Sequence, residues 1–249
     1  MPKLSWLTAR PIAHRGLHDA RNGIVENTPG AAAAAIAGNY SIECDVQITA
    51  DGEAMVFHDD ELDRLTVETG ALASRNAADL KRVPFKGTAD RMVTLGEYCD
   101  LIAGRSVLVI ELKSRFDGDL RIAQRAVEVM RNYKGPFALM SFDPALIVQV
   151  RRLAPKMTRG ITSESHYAHP EWKKLLSPGT MRRLSWMFDA PRACPQFIAH
   201  NVNDLPALLP SAARALFGVP IVTWTVRTDA QRLNAARNAD QMIFEGFRA

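Results

Sequence analysis

Short apolar runs rich in β-branched residues recur along the chain, and stretches with a helical pattern separate them. Such runs are typical of strands buried on both faces of a parallel sheet, and the stretches between them fit amphipathic helices. We count eight runs, which begin near Ile12, Ser41, Val107, Phe137, Arg159, Phe197, Ile221 and Gln241. Eight strands alternating with helices favour an α/β fold of the closed (β/α)₈ type, the TIM barrel, over an open sheet.

Local signals place further elements within this pattern. Thr28 can cap the helix after the first strand, and Pro29 suits its first position. Asp51-Gly52 lies between strand-like runs at 41–49 and 54–58, which predicts a tight hairpin turn with His58 at the end of the returning strand. From about 59 to 91 the sequence becomes polar and irregular. We therefore expect a small insertion after the second barrel strand, too short to fold alone.

Length and composition fit a single barrel. The chain has 249 residues, 47% of them hydrophobic and 23% charged, and neither a repeat nor a Pro/Ser-rich linker divides it. Barrels of about 250 residues commonly fold as one unit. We therefore predict one domain over 1–249.

Charge and cysteine content narrow the functional classes. The net charge is +4 and the basic residues are spread along the chain, which argues against a nucleic-acid partner. Cys44, Cys99 and Cys194 lack the spacing of a disulfide framework or a zinc site. No run approaches the roughly 18 apolar residues of a membrane span. We predict a cytoplasmic protein without stable membrane insertion.

Ionisable residues follow three of the predicted strands, at the carboxyl-terminal ends where barrel active sites are built. These groups are His14-Arg15-Gly16, Glu43-Cys44-Asp45 together with His58, and Glu111-Leu112-Lys113. Since alternate residues of a strand share a side, Glu43 and Asp45 project together. Their mutual repulsion would be relieved by a divalent cation such as Mg²⁺ or Ca²⁺, which prefers oxygen ligands.

Glu111 could supply a third oxygen ligand from the next barrel strand. A pair of acids alone is more simply explained by exposure to solvent or by arginine partners. Carboxylates on two strands beside histidines and a lysine favour a functional site, because buried unpaired charges are costly.

The two histidines and two basic residues in these groups suit phosphoryl chemistry. His14 and His58 can act as general acid and base at neutral pH, and the sequence does not assign one role to each. Arg15 can grip two oxygens of a phosphate, and Lys113 adds a compact positive charge.

These motifs, with others along the chain, resemble those of the glycerophosphodiester phosphodiesterase family, a group of phospholipase C-like phosphodiesterases. Over about fifty residues, order and spacing match at His14-Arg15-Gly16, Glu26-Asn27-Thr28, Glu43-Cys44-Asp45-Val46, Thr49, Asp51-Gly52 and Val56-Phe57-His58-Asp59. Further matches are Leu62 to Thr66 with Gly70, Glu111-Leu112-Lys113, Ser141-Phe142 and Trp224-Thr225-Val226. The resemblance thus covers most of the chain.

The resemblance implies metal-dependent hydrolysis of small glycerophosphodiesters to glycerol 3-phosphate and an alcohol. One divalent cation, Mg²⁺ or Ca²⁺ with Mn²⁺ as an alternative, would be held by Glu43, Asp45 and Glu111. The acid and base pair matches His14 and His58, and the phosphate contacts match Arg15 and Lys113. Glu26 matches an acid that would orient Arg15 or the metal, and Trp224 matches a residue of the substrate groove.

The chain departs from the family near its end. Met242-Ile243-Phe244-Glu245-Gly246 stands where a small apolar run closing on Thr-Asp is usual, and Arg227 stands where Asn is common. We expect these differences to affect the leaving-group or glycerol pocket rather than the metal site.

Two other functions fit the same fold. A related barrel phosphodiesterase acting on an intact phospholipid would need an exposed apolar or basic membrane-facing loop, and we find no convincing one. A non-catalytic phosphodiester-binding barrel would not need the complete set of acids and histidines. His166 and His169 lie in a polar loop that we interpret as exposed surface or a substrate-covering loop rather than a second metal site. The head group, the cation and the oligomeric state stay open.

Overall fold

The computed structural model describes residues 4–249. Within that range the strands are β1 (Ile12–Ala13), β2 (Ser41–Ile48), β3 (Ala54–Val56), β4 (Leu108–Leu112), β5 (Phe137–Ser141), β6 (Arg159–Ser163), β7 (Phe197–Asn201), β8 (Ile221–Val226) and β9 (Gln241–Phe244). The helices are α1 (Ser5–Thr8), α2 (Pro29–Ala37), α3 (Ala77–Leu80), α4 (Leu95–Ile102), α5 (Arg121–Met130), α6 (Pro144–Leu153), α7 (Pro170–Leu175), α8 (Pro178–Ser185), α9 (Ala190–Ala193), α10 (Leu208–Phe217) and α11 (Asp229–Asn238).

Eight parallel strands close into a ring. Strand β1 pairs with β2 on one side and with β9 on the other, and the remaining strands follow in the order β4 to β9. Strand β3 is antiparallel to β2 and lies outside the ring. This closure confirms the predicted TIM barrel, and the eight predicted runs correspond to its eight strands, with β4 beginning one residue later than expected.

Alternation along each strand sends one set of side chains into the barrel and the other towards the helices. The inner set includes Ile12, Val109, Met140, Phe197 and Val222, which form one apolar cluster. The outer set packs in a larger cluster with side chains of the surrounding helices. Inner positions at the carboxyl-terminal ends of the strands therefore line the mouth of the barrel.

Helix α2 begins as the sequence predicts. The side chain of Thr28 accepts a hydrogen bond from the amide of Ala31, and Pro29 occupies the first helical position. Gly16, at φ +77°, lies so close to this helix that an added Cβ would be 2.7 Å from the Cβ of Ala31. Small residues on both sides thus bring the loop after β1 close to the helix.

The hairpin and the insertion form a small appendage on β2. Gly52 takes the left-handed conformation in the turn between β2 and β3. The returning strand ends at Val56, so placing His58 in that strand was wrong: the Gln47 side chain donates to the His58 carbonyl oxygen at 2.8 Å and holds it in a loop. The insertion contains α3 and packs its own apolar cluster against residues of the hairpin.

The helices around the barrel are short. The longest of those described, α5, α6, α10 and α11, have ten residues each. Among residues 4–249, no helix combines the length and the apolar character that a membrane crossing requires.

Candidate active site

Three carboxylates meet at the mouth of the barrel. Glu43 and Asp45 occupy alternate inner positions of β2, and Asp45 pairs in register with Glu111 of β4. A carboxylate oxygen from each lies within 4.8 Å of the others. The three residues are at most 8% exposed, so solvent does little to screen their repulsion.

This donor set fits a hard divalent cation. Oε1 of Glu43 is buried and has no hydrogen-bond partner among the described residues. Burial raises the pKa of Glu43 well above its usual value, and the neighbouring charges of Asp45 and Glu111 raise it further. A cation among the three oxygens would remove the cost of keeping them ionised, and oxygen ligands are those that Mg²⁺ and Ca²⁺ prefer.

Two basic side chains flank the carboxylates. Nζ of Lys113 lies 3.0 Å from Oε1 of Glu111 and 3.6 Å from Oδ1 of Asp45. Nε of Arg15 lies 3.4 Å from Oδ2 of Asp45. Burial by itself lowers the pKa of Lys113, but the charges of Glu111 and Asp45 outweigh it and the pKa rises. Both basic groups therefore stay positive beside the acids.

The loop after β1 is shaped to bring Arg15 to this place. Arg15 adopts a left-handed backbone conformation with φ +55°, which is unfavourable for a residue other than glycine. Its amide donates to Oε2 of Glu43 at 2.9 Å, and its carbonyl oxygen accepts from the amide of Asn27 at 2.9 Å. These contacts offset the cost of the conformation.

Asn27 is a structural partner of Asp45. Its Nδ2 donates to Oδ2 of Asp45 at 2.9 Å, and its Oδ1 accepts from the Asp45 amide at 3.2 Å. Burial alone would raise the pKa of Asp45, but the charges of His58, Lys113 and Arg15 outweigh it and hold the pKa well below its usual value. Asp45 is thus ionised and fixed in orientation.

His14 lies beside the carboxylates and is held by Glu245, the residue that follows the last strand. Its Nε2 is 4.0 Å from Oε2 of Glu43, while its Nδ1 is 2.5 Å from Oε2 of Glu245. Burial lowers the pKa of His14 to about 4, against the opposing effect of the hydrogen bond to Glu245. An ionised carboxylate only accepts, so the proton of the neutral ring is on Nδ1 and Nε2 is free.

His58 is held by a separate acidic network. Its Nδ1 lies 2.7 Å from Oδ1 of Asp59, and Asp59 accepts from Arg64 at 2.6 Å. Arg64 also donates to Glu26, which accepts from Arg15 at 2.6 Å. Glu26 therefore links the two basic residues, and the orienting role that the resemblance implies for it stays a prediction.

Trp224 lies at the mouth on β8, three strands around the barrel from β2. It is half-buried, its indole N–H donates to the Ala199 carbonyl oxygen at 3.1 Å, and its ring packs edge-on against Phe142 at 5.2 Å between centroids. This position is compatible with a wall of a substrate groove.

Comparisons with known proteins show the family to which the chain belongs. The sequence profile of the glycerophosphoryl diester phosphodiesterase family matches residues 14–247. The chain is 30% identical over 234 residues to a glycerophosphodiester phosphodiesterase of Caldanaerobacter subterraneus subsp. tengcongensis, covering 89% of this chain and 88% of that one.

The chain belongs to this family. Among solved structures, it resembles a putative glycerophosphoryl diester phosphodiesterase from Silicibacter pomeroyi at 25% identity and a TM-score of 0.76, over 94% of this chain and 89% of that one. It shares its fold with an Oleispira antarctica phosphodiesterase in complex with the product sn-glycerol-3-phosphate, at 20% identity and a TM-score of 0.78, over 96% of this chain and 94% of that one. The chain is accordingly an enzyme of the phosphodiester hydrolase class, a glycerophosphodiester phosphodiesterase.

The structure adds site residues that have no assigned role in the sequence analysis. Glu245 holds His14, Asp59 holds His58, Asn27 holds Asp45, and Arg64 joins Glu26 to Asp59. Asn27 and Asp59 belong to motifs shared with the family, and that could have singled them out. Arg64 lies within the matched stretch Leu62 to Thr66, so the same signal was available for it.

The two departures from the family pattern contact each other. Nε of Arg227 donates to Oε1 of Glu245 at 2.5 Å, while the other carboxylate oxygen of Glu245 holds His14. The atypical last strand therefore borders a predicted acid or base residue, in addition to any pocket for glycerol or the leaving group. By contrast, His166 and His169 are exposed, as the sequence predicts.

Proposed function

We propose that this enzyme hydrolyses glycerophosphodiesters to glycerol 3-phosphate and an alcohol by metal-dependent general acid and base catalysis. The observation that carries the proposal is the buried cluster of Glu43, Asp45 and Glu111. Positive charge on Arg15 and Lys113 lies directly beside the cluster, as a phosphate anion requires. The product bound by the Oleispira antarctica relative supports glycerol 3-phosphate as the product here as well.

The three carboxylates would hold one divalent cation, Mg²⁺ or Ca²⁺ with Mn²⁺ as an alternative. When bound, the cation neutralises negative charge that develops on the phosphoryl oxygens. Arg15 and Lys113 bind the remaining oxygens and keep the phosphorus between His14 and His58. Glu26 keeps Arg15 in place, and Trp224 lines the groove.

The histidines move the protons. One imidazole removes the proton of the attacking hydroxyl group, the 2-hydroxyl of the glycerol unit, and the resulting cyclic phosphate is later opened by water. The other imidazole donates a proton to the departing alcohol oxygen. Glu245 and Asp59 orient the two rings, because each accepts from Nδ1 and leaves Nε2 for the reaction.

Turnover of glycerophosphodiesters tests the proposal. The purified enzyme is assayed with EDTA and then with Mg²⁺, Ca²⁺ or Mn²⁺, and glycerol 3-phosphate is quantified. His14→Ala and His58→Ala should each lower kcat by roughly 10²–10⁴, whereas the exposed His166→Ala should not. Absence of turnover with every cation would instead favour a non-catalytic phosphodiester-binding barrel, and release of head groups from liposomes would favour an intact phospholipid as substrate.

The substrate is a small molecule in this proposal. A single domain over 1–249 and a cytoplasmic location stay predictions.

A further inference from the structure

The mouth of the barrel has two chemically different halves. The charged half, already described, is built from inward-facing residues at the ends of four neighbouring strands. These are Glu245 after β9, His14 after β1, Asp45 on β2 and Lys113 after β4. Inner positions at the ends of β5 to β8 place the other half, which consists of Phe142, Glu164, Asn201 and Trp224. Asn201 pairs in register with Trp224, and Asn201 donates to Glu164 at 3.2 Å.

The two halves meet between β4 and β5. Glu111 pairs in register with Met140, so Lys113 and Phe142, each two residues further on, occupy neighbouring positions. Adjacent strands are about 4.8 Å apart. A group attached to a phosphate bound at Lys113 therefore reaches Phe142 within a few bonds.

Aromatic rings cover the second half of the mouth. Phe142 lies 4.9 Å from Trp172 and 5.2 Å from Trp224 between ring centroids. Trp172 belongs to α7, in the segment that follows β6, and it also packs edge-on against Tyr167 at 5.2 Å. Phe142, Trp172 and Trp224 are only half-buried, so part of each ring remains accessible.

Glu164 is a buried acid at this aromatic wall, and no ion pair within residues 4–249 involves it. It is 8% exposed, and its Oε1 has no hydrogen-bond partner among those residues. Burial raises the pKa of Glu164. The side-chain N–H groups of Asn201 and Trp172, as nearby hydrogen-bond donors, oppose this rise without cancelling it. An unsatisfied carboxylate of this kind costs free energy unless a ligand completes it, and even its protonated form would need an acceptor for the proton.

The missing partner has the character of an organic cation. A metal ion requires several oxygen ligands, and in the described part of the chain the acidic cluster suited to one is the triad on β2 and β4. Aromatic faces together with one carboxylate are instead the surroundings that ammonium and quaternary ammonium groups prefer.

We propose that Glu164, Phe142, Trp172 and Trp224 form a subsite for a cationic head group, an amino alcohol esterified to the phosphate of the substrate. This inference rests on the proposed function, since it places the leaving alcohol next to the phosphate site. The ammonium group of such an alcohol is two carbons from the ester oxygen, which matches the step from Lys113 to Phe142. The subsite selects among glycerophosphodiesters by the charge of the leaving group.

A pair of isosteric substrates tests the subsite. Glycerophosphocholine is compared with the glycerophosphodiester of 3,3-dimethylbutanol, which has the same shape and no positive charge. The measured quantity is the ratio of kcat/KM for the cationic ester to kcat/KM for the neutral ester. A desolvated cation held by aromatic faces and a carboxylate should give a ratio of at least about 10.

Variants then assign the preference to the subsite. Glu164→Gln keeps the shape of the side chain and should bring the ratio to within about threefold of 1, and Trp172→Leu should lower it severalfold. Glu171→Gln is the matched control, because this acid lies next to Trp172 on helix α7 and its side chain, outside the proposed subsite, is 81% exposed. The ratio should not change in that variant.

The outcomes separate this inference from the proposed function. Hydrolysis of both esters with a ratio near 1 in the unmodified enzyme would overturn the subsite and leave the function intact. A high ratio that survives Glu164→Gln would overturn it as well. Failure to hydrolyse either ester with any cation would contradict the proposed function itself. Because the ratio is internal to each variant, partial loss of folded protein does not affect it.

Discussion

Replacing Glu245 with glutamine tests whether the last strand takes part in catalysis. Oε2 of Glu245 lies 2.5 Å from Nδ1 of His14, and their side chains are 19% and 13% exposed. Solvent screening is therefore weak, and the contact is a charge-assisted hydrogen bond worth about 1.5–3 kcal/mol. If that energy orients the ring for proton transfer, Glu245→Gln should lower kcat by roughly 10- to 150-fold, towards the lower end because the amide oxygen can still accept.

The assay is glycerophosphodiester hydrolysis at saturating metal, with kcat and KM measured from pH 3 to 9, a range that includes the lowered pKa of His14, about 4. A change in proton transfer should lower kcat more than it alters KM. The hydrogen bond to Glu245 raises the pKa of His14, so the limb of the pH profile that depends on His14 should also move to lower pH in the variant. A purely structural effect would not shift that limb.

Arg227→Gln is the control for this experiment. It removes the ion pair between Arg227 and Oε1 of Glu245, but the Arg227 side chain is 53% exposed and an exposed ion pair contributes little, so kcat should change by less than about threefold. If Glu245→Gln has the kcat and pH profile of the unmodified enzyme while His14→Ala is inactive, the orienting role of Glu245 is refuted.

Three further predictions concern the metal site, the buried histidine and the first loop. Asp45→Asn should weaken binding of the cation by at least about 100-fold in calorimetry, and unchanged affinity would remove Asp45 from the ligand set. Burial lowers the pKa of His200 to about 4, so the unfolded state binds more protons between pH 6.5 and 4 and stability falls as the pH falls through that window. Urea unfolding at pH 7 and 4.5 should show His200→Asn losing roughly 2–3 kcal/mol less than the unmodified protein, and equal losses would contradict this. Gly16→Ala should destabilise by roughly 2–4 kcal/mol because its Cβ meets Ala31, while Gly52→Ala, with open space around it, should cost only about 1 kcal/mol; equal melting temperatures would refute the steric argument.

The barrel and the metal triad could be predicted because both depend on local pattern. Buried parallel strands are short apolar runs whatever their neighbours are, so eight runs indicate eight strands. Glu43 and Asp45 share a side by the alternation of a single strand, and that holds in any register. The position of His58 was harder, because the strand ends at Val56 and the loop beyond it is set by a Gln47 side-chain contact rather than by strand alternation.

The partners of the site residues could not be predicted because they come from distant positions in the sequence. His14 and Glu245 are 231 residues apart and meet only because β1 pairs with β9 when the barrel closes. Register fixes the contact: Ala13 pairs with Phe244, so the next residue of each strand is an inner neighbour of the other. The same reasoning applies to Glu164, which has no family motif around it. Its role could not be predicted because it depends on aromatic side chains that follow β5 or belong to α7 and β8.

These distant contacts also explain how the chain can depart from its family near the end and keep the site. One carboxylate oxygen of Glu245 accepts a hydrogen bond from His14, and the other accepts one from Arg227, whose positive charge balances the negative charge of the carboxylate. Arg227 reaches no other acid in the described residues, and Glu245 otherwise contacts His14 and, at 3.5 Å, Nε2 of His18. Both substitutions therefore act on one edge of the mouth, between β8 and β1, whereas the triad depends on β2 and β4. Variation at that edge can tune the proton-transfer residue without disturbing the carboxylates that would hold the cation.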